Sequence, residues 1–328
     1  MKGQAKNRDA KVQVVTLGET MIRFSSRVGI PLERARKLDV EIGGSESNVA
    51  VALARLGVSV GWISKLVDNP WGRRIAGELR LHGVDTSRII WTQEGRVGTM
   101  FVEPGVKPRP AEVIYDRANS AASTMKFDEL DIDYILSARH VHLTGITMAL
   151  SDSCRELVKQ VAAEVRKAAG GTVSFDVNYR QRLWSPEEAR RAVVSVLQYV
   201  NLLISTLDDV RRVFQFDGRA EDACRLLQET YGCPWVIITL GGEGAVGLFD
   251  GEVQRVSGYE LSIVDRIGAG DAFAAGAIYG FLQDAPDISL KYGAALAALK
   301  HTVFGDQSYF SKADVERLLA AGGSDIQR

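Results

Sequence analysis

The 328 residues are 46% hydrophobic and carry a formal net charge of −1, enough apolar material for one large α/β domain with an appendage or for two ordinary domains. No long run of either sign is present, which argues against a nucleic-acid or membrane surface and leaves a small molecule as the expected partner. Cys154, Cys224 and Cys233 are too few and too scattered for a disulfide framework or a zinc knuckle, and Met1 to Ala10 is polar and basic with no apolar signal segment, so a cytoplasmic protein with a frayed N-terminus is expected.

Val12 to Leu17 reads as a buried strand opening a parallel sheet. A single Gly18 follows it where a nicotinamide-binding fold would want G-x-G-x-x-G, which counts against a dinucleotide enzyme. Glu19 to Val40 is irregular, with alternating stretches such as Met21-Ile22-Arg23-Phe24, and reads as strands of a small separate sheet. Gly43-Gly44 then precede a Ser cap and a helix, Val49 to Leu56, that stops at Gly57; glycines there let a ligand approach the helix N-terminus closely. Val58 to Leu66 reads as the next strand and Asn69 to His82 as the next helix. Arg96 to Tyr115, with Pro104, Gly105, Pro108 and Pro110 in its middle, reads as an inserted hairpin. Together these insertions suggest a lid, 22–41 and 96–117, over a core made of 1–21, 42–95 and 118–328.

From Ala138 strands and helices alternate: Val141 to Leu143, helix Asp152 to Ala169, Thr172 to Phe175, helix Pro186 to Val200, Leu202 to Ile204, helices Leu207 to Phe214 and Ala220 to Tyr231, and Val236 to Thr239. Repeated βα units of this length imply a mostly parallel sheet with helices on both faces, whose ligands gather at the C-terminal ends of the strands. Gly241-Gly242-Glu243-Gly244 follows one strand, and an Asp250-Gly251 turn marks a hairpin after it.

The stretch V-D-R-I-G-A-G-D-A-F-A-A-G-A-I-Y-G-F-L, Val264 to Leu282, carries the strongest chemistry. Gly268, Ala269 and Gly270 leave a helix entrance bare, and the first N–H groups of a helix offer an anion several donors at its positive end. Asp271 in that first turn would set a base beside an anion hole, a pairing suited to phosphoryl transfer. Otherwise Asp271 is an N-terminal cap and the glycines serve packing. Asp176-Val177-Asn178-Tyr179-Arg180 follows a buried strand, where Arg180 could grip a carboxylate or phosphate or pair with Glu187 or Glu188. Tyr115-Asp116-Arg117 ends the hairpin and either faces a substrate or forms a solvated edge. His140 and His142 point to one face of a strand, a metal pair or a satisfied core feature.

Motifs that agree in identity and order make the chain resemble the ribokinase-type (PfkB) carbohydrate kinases: Gly43-Gly44 with Asn48-Val49-Ala50 near the start, and Asp265 with Gly268 to Asp271 near the end. Within the family the likeness is greatest to the 2-keto-3-deoxygluconate kinases, from Tyr115/Arg117 with Ser120-Ala121, from the Asp176 to Arg180 run with Leu183-Trp184, and from Lys300-His301-Thr302 with Gly305-Asp306. The resemblance implies a three-layer α/β/α domain with a β-sheet lid, ATP as donor, and Mg²⁺. It implies Asp271 as the base, Gly268, Ala269 and Gly270 as the anion hole, and Gly43, Gly44 and Asn48 as holders of substrate hydroxyls. Tyr115, Arg117 and Arg180 would receive the acid end, and Asn178, Thr239, Gly241, Gly242 and Gly244 would line the nucleotide. Asp209 would meet the metal through water, from a shorter arm than the family's Asn-x-x-Glu, because the segment here reads Thr206-Leu207-Asp208-Asp209. Asp265-Arg266-Ile267 also departs from the family's D-T-T or D-P-V, and Asp116 stands where a second Tyr is common. The leading expectation is an ATP-dependent kinase of 2-keto-3-deoxygluconate; the alternatives are a same-fold kinase for fructose, ribose or a nucleoside, or a sensor without turnover. A homo-oligomer formed through the lid is expected from its exposed strand edges.

Overall fold

The computed structural model describes residues 12–321, so the fraying expected for Met1 to Ala10 lies outside the described residues. The chain opens with β1 (Val14–Leu17), β2 (Met21–Ser25), β3 (Asp39–Gly43) and α1 (Ser45–Arg55). β4 (Val60–Ile63), β5 (Lys65–Val67), α2 (Pro70–Leu81) and β6 (Ile90–Thr92) follow, then β7 (Thr99–Glu103) and β8 (Glu112–Asp116). Next come α3 (Ile132–Ser137), β9 (His140–Thr144), α4 (Gly145–Met148), α5 (Asp152–Lys167), β10 (Thr172–Asp176) and α6 (Pro186–Leu197). β11 (Leu202–Thr206), α7 (Leu207–Phe214), α8 (Ala220–Tyr231) and β12 (Trp235–Thr239) continue the alternation. The hairpin β13 (Ala245–Phe249) and β14 (Glu252–Val256) leads to α9 (Ala269–Phe281), α10 (Pro286–His301) and α11 (Lys312–Ala321).

An eight-stranded sheet runs in the order β14-β13-β12-β11-β10-β9-β1-β4, parallel from β12 to β4, with β13 antiparallel to both neighbours. Successive strand residues point to opposite faces, and here both faces are apolar. Val15, Val141, Val173, Leu203 and Val236 pack beneath α5, α6 and α8, whereas Val14, Leu202 and Trp235 pack beneath α1, α9 and α10. That double burial makes the three-layer α/β/α fold. α9 is rich in Ala and Gly because it must lie close to α10: a Cβ on Gly276 would meet the backbone of Tyr292 and Gly293.

A separate four-stranded sheet has the order β3-β2-β7-β8, with β2 parallel to β7 and the other pairs antiparallel. Phe24 stacks on Phe101 at 5.3 Å between ring centres and meets Trp71 edge-on at 5.8 Å, which ties this sheet to α2.

The expected strand Val58 to Leu66 is two strands. β4 pairs with β1 as the edge of the main sheet, and past Ser64 the chain leaves that ladder, so that β5 pairs with β6 in a separate two-stranded sheet. Ser45 is not the cap of α1: Gly44 occupies that position with an extended backbone and no side-chain bond, and Ser45 begins the helix with its hydroxyl free for another partner. The histidines of β9 are core residues. His140 bonds Thr172 and Ser174 at 2.9 and 2.7 Å, His142 bonds Ser174 at 2.9 Å, and burial drives both down to about 3. Among the described residues, no group of three or more His, Cys, Asp or Glu is arranged to hold a metal ion, and no helix is long and apolar enough to cross a membrane.

Candidate active site

The C-terminal ends of β9, β10, β11 and β12 all open toward the N-terminus of α9. Gly268 caps that helix with φ of 84°, in the left-handed region, and a Cβ there would overlap the carbonyl oxygen of Asp306. Both constraints demand glycine. Among the described residues, the N–H groups of Gly268, Gly270 and Asp271 have no acceptor, and that of Ala269 reaches only the Arg266 carbonyl at 3.4 Å. Nothing lies within 4 Å of where a Gly270 Cβ would stand, so the donors border open space. This is an anion site in the sense of helix N-termini generally.

Asp271, in the first turn, is 9% exposed. Its Oδ1 accepts from the Ser45 hydroxyl at 2.7 Å and its Oδ2 from Asn48 Nδ2 at 2.7 Å. Burial raises its pKa above the ordinary carboxylate range, opposed by these two donors and by Arg180 and Lys300. Asn178 Nδ2 donates to Ser45 Oγ at 2.9 Å, so Asn178 joins the carboxylate through Ser45 and does not line the cleft that holds the other predicted nucleotide residues. Asn48 Oδ1 and Asn178 Oδ1 are buried without partners. Behind them Glu46, held at about 7 by burial, accepts from Thr144 and Thr147 at 2.6 and 2.5 Å and fastens α1 to the end of β9.

Two clefts meet at this turn. The first is a tight recess of about 70 Å³ lined by Gly43, Gly44, Asn48, Gly268 and Asp271, opening past Tyr115, Arg117 and Arg180 into an outer cavity of about 900 Å³. Gly43 and Gly44 are needed for its shape, since a Cβ would overlap the Asp306 carboxylate or the Glu19 carbonyl. The predicted arginines differ. Arg117 is buried and bound to Glu19, Nε at 2.7 Å and Nη2 at 2.5 Å, whereas exposed Arg180 bonds only the Tyr179 carbonyl, at 3.1 Å. No carboxylate pairs with Arg180 among the described residues, and Glu188 instead caps its own helix at Ser185. Asp116 points elsewhere, paired with Arg96 at 2.6 Å.

The second cleft, about 370 Å³, is lined by Thr206, Thr239, Gly241, Gly242, Gly244, Arg266, Ala269 and Gly270, with Phe273, Ala294 and Ala298 as its apolar wall. Arg266 thus lies on this side. Asp209, partly buried in the first turn of α7, lines neither cleft; its carboxylate accepts from the Tyr179 N–H at 3.3 Å. Asp176, at the end of β10, is pushed up to about 8 by burial and by Asp271 and Asp209. Asp176 feels the charges of Asp271 and Asp209, but the three carboxylates do not converge on one point as direct ligands, so a Mg²⁺ here would be met through water.

Ser45 is expected from sequence only as a helix cap, and Glu19 and Arg23 carry no expected role. Ser45 had a signal, since a hydroxyl between Gly44 and Asn48 falls on the same helix turn as the predicted binding residues. Glu19 and Arg23 are charges in apolar surroundings, and only tertiary structure reveals their partners.

The N-terminus of α9 thus borders two clefts and carries a buried carboxylate in its first turn. Residues 11–313 match the model of the pfkB family carbohydrate kinases, and the chain belongs to that family of ATP-using sugar kinases. The chain is 42% identical over 317 residues to a 2-dehydro-3-deoxygalactonokinase of Haloferax volcanii, covering 96% of this chain and 99% of that one. The crystal structure of a 2-dehydro-3-deoxygluconokinase from Thermotoga maritima superposes with a TM-score of 0.89 at 34% identity, over 94% of this chain and 98% of that one. An uncharacterized sugar kinase from Pyrococcus horikoshii, solved in complex with ATP, superposes with a TM-score of 0.76 at 25% identity, over 92% and 96% of the two chains.

Proposed function

We propose that the chain transfers the terminal phosphoryl group of ATP to the terminal hydroxyl of a 2-keto-3-deoxy sugar acid, 2-keto-3-deoxygluconate or its galactonate epimer. The observation that carries this reading is the division of one helix turn: Gly268 and Asp271 border the inner recess, and Ala269 and Gly270 border the second cleft. Asp271, oriented by Ser45 and Asn48, takes the proton of the attacking hydroxyl. The N–H groups of Gly268, Ala269 and Gly270 stabilise charge on the transferred group as it passes the helix end. Gly43 and Gly44 let the sugar approach, and Asn48 Oδ1 is an acceptor for one of its hydroxyls. Arg180 reads the substrate carboxylate, with Tyr115 beside it, while Arg117 contributes from a guanidinium already neutralised by Glu19.

Thr239, Gly241, Gly242 and Gly244 hold the nucleotide. Asp209 would hold Mg²⁺ through water, where the ion would neutralise phosphate charge. The four-stranded sheet, segments 22–41 and 96–117, acts as a lid and as the contact between protomers; a monomeric mass by light scattering at assay concentration would refute the latter.

The names of the relatives support the sugar-acid class and differ between C4 epimers, so both belong in the test. Coupled ADP release is measured with ATP, Mg²⁺ and each epimer, beside fructose and ribose, for the wild type and Asp271→Asn. Turnover confined to the acids, and lower by about 10²–10⁴ in the variant, is the expected result. Equal efficiency on the neutral sugars would overturn the substrate class, and an unimpaired variant would overturn the base.

A further inference from the structure

Arg23 lies on β2 of the small sheet, not on the catalytic core, yet it is fully buried beneath the α9 N-terminus. Its Nη1 is 2.5 Å from Asp306 Oδ1, its Nη2 is 2.6 Å from Asp265 Oδ2, and its Nε donates to Ser25 Oγ at 2.8 Å. The Phe304 ring covers its face at 4.9 Å. Each carboxylate in turn shapes the anion-hole turn. Asp265 Oδ1 accepts from the Ile267 N–H at 3.0 Å and Oδ2 from the Gly305 N–H at 3.2 Å, while the Asp306 carbonyl is the surface on which Gly268 rests. The carbonyl of Asp265 is held separately by Lys300 Nζ at 3.3 Å. One guanidinium therefore clamps the loops that enter and underlie the turn, and it does so from the sheet that closes over the sugar.

We infer that Arg23 is a positioning residue: through Asp265 and Asp306 it makes the small sheet set the geometry of the Gly268 to Asp271 turn. The inference rests on the role proposed for that turn. A planar fork with donors fixed at both tips can hold two carboxylates at a set separation, and an ammonium group cannot. Rates of positioned reactions fall steeply with displacements near 1 Å, so loosening the fork should reach the chemical step. A purely structural buried ion cluster would instead affect folding alone.

The test compares Arg23→Ala and Arg23→Lys in the full chain, with kcat, sugar KM, nucleotide affinity and thermal unfolding measured for each. Arg23→Ala is expected to lower kcat about 100-fold, the size typical of lost transition-state donors, with KM and nucleotide affinity changed by less than about threefold. Guanidinium ion at low millimolar concentration should restore roughly tenfold of that loss and leave the wild type unaffected. Adding Asp265→Asn to Arg23→Ala should cost little more, because coupled residues are not additive. Wild-type kcat in the Ala variant, a loss carried by KM alone, or a kcat loss that guanidinium does not reverse would overturn the inference. Should the Ala variant fail to fold, Arg23→Lys decides: a kcat about tenfold down in a folded protein supports it, and an unchanged kcat sinks it. Asp271→Asn run alongside separates the two levels, since full activity there would remove the reading of the turn itself.

Discussion

Two arginines face the same cleft, and their surroundings predict opposite consequences for their loss. Arg180 is exposed, and its one bond is to a neighbouring carbonyl. Replacing it with Met breaks no ion pair but removes a positive charge that partly offsets the burial of Asp176, Asp209 and Asp271, so a loss of stability of no more than about 1 kcal/mol is expected. On the proposed reading, what is lost is a charge-assisted contact to the substrate carboxylate, worth about 1.5–3 kcal/mol, or roughly 10–150-fold in kcat/KM. Arg117 is the reverse case. Removing it leaves the buried Glu19 carboxylate uncompensated, which costs about 3–5 kcal/mol of folding stability. The assay is kcat/KM for the sugar acid and for the same sugar with its carboxylate reduced to an alcohol, together with urea midpoints. Arg180→Met should lose far more efficiency on the acid than on the alcohol at a midpoint only slightly lowered, and Arg117→Met should lower the midpoint strongly. Equal losses on both substrates for Arg180→Met, or none, would refute the assignment of the carboxylate to Arg180.

In the proposed mechanism Asp271 works deprotonated, and its pKa is raised by burial, so kcat should fall as pH drops through a value above the usual carboxylate range of about 4; a pH–rate profile flat to that value would contradict it. Gly268→Ala should lower kcat by about 100-fold or more while the protein still folds, because the left-handed cap and the contact with Asp306 cannot accept a Cβ; a kcat within about twofold of wild type would show that the cap is not critical. Stability of the ligand-free protein should fall between about pH 6.5 and 8. Glu46 at about 7 and Asp176 at about 8 have folded values raised above their unfolded ones, so their contribution is complete at low pH and is lost as pH rises through those values. His140 and His142, depressed to about 3, contribute with the opposite sign, but that term is complete above about 6.5. The expected decline is on the order of 3 kcal/mol, read from urea midpoints at the two pH values, and Asp176→Asn should flatten its upper part; a rise over this window would refute the assignment.

Periodicity alone was sufficient for the βα alternation after Ala138, because strands buried on both faces and helices with one apolar face leave unambiguous local patterns. The bare helix entrance at Gly268 to Asp271 was equally legible, since a glycine at a positive φ and an acid in one turn are local features, although the contact with Asp306 that also excludes a Cβ from Gly268 is tertiary. Sequence could not divide Val58 to Leu66, because the break depends on which distant strands, β1 and β6, each half pairs with. Nor could it separate Arg117 from Arg180. Both are arginines near the ends of strands, and only the fold brings Glu19, 98 residues earlier, against the first and leaves the second open. The same holds for Arg23 with Asp265 and Asp306, partners 242 and 283 residues away. Local backbone geometry and patterning are written in short stretches of chain, whereas the state of a charge is decided by which other charges the tertiary structure brings within hydrogen-bonding distance and how much water it removes from between them.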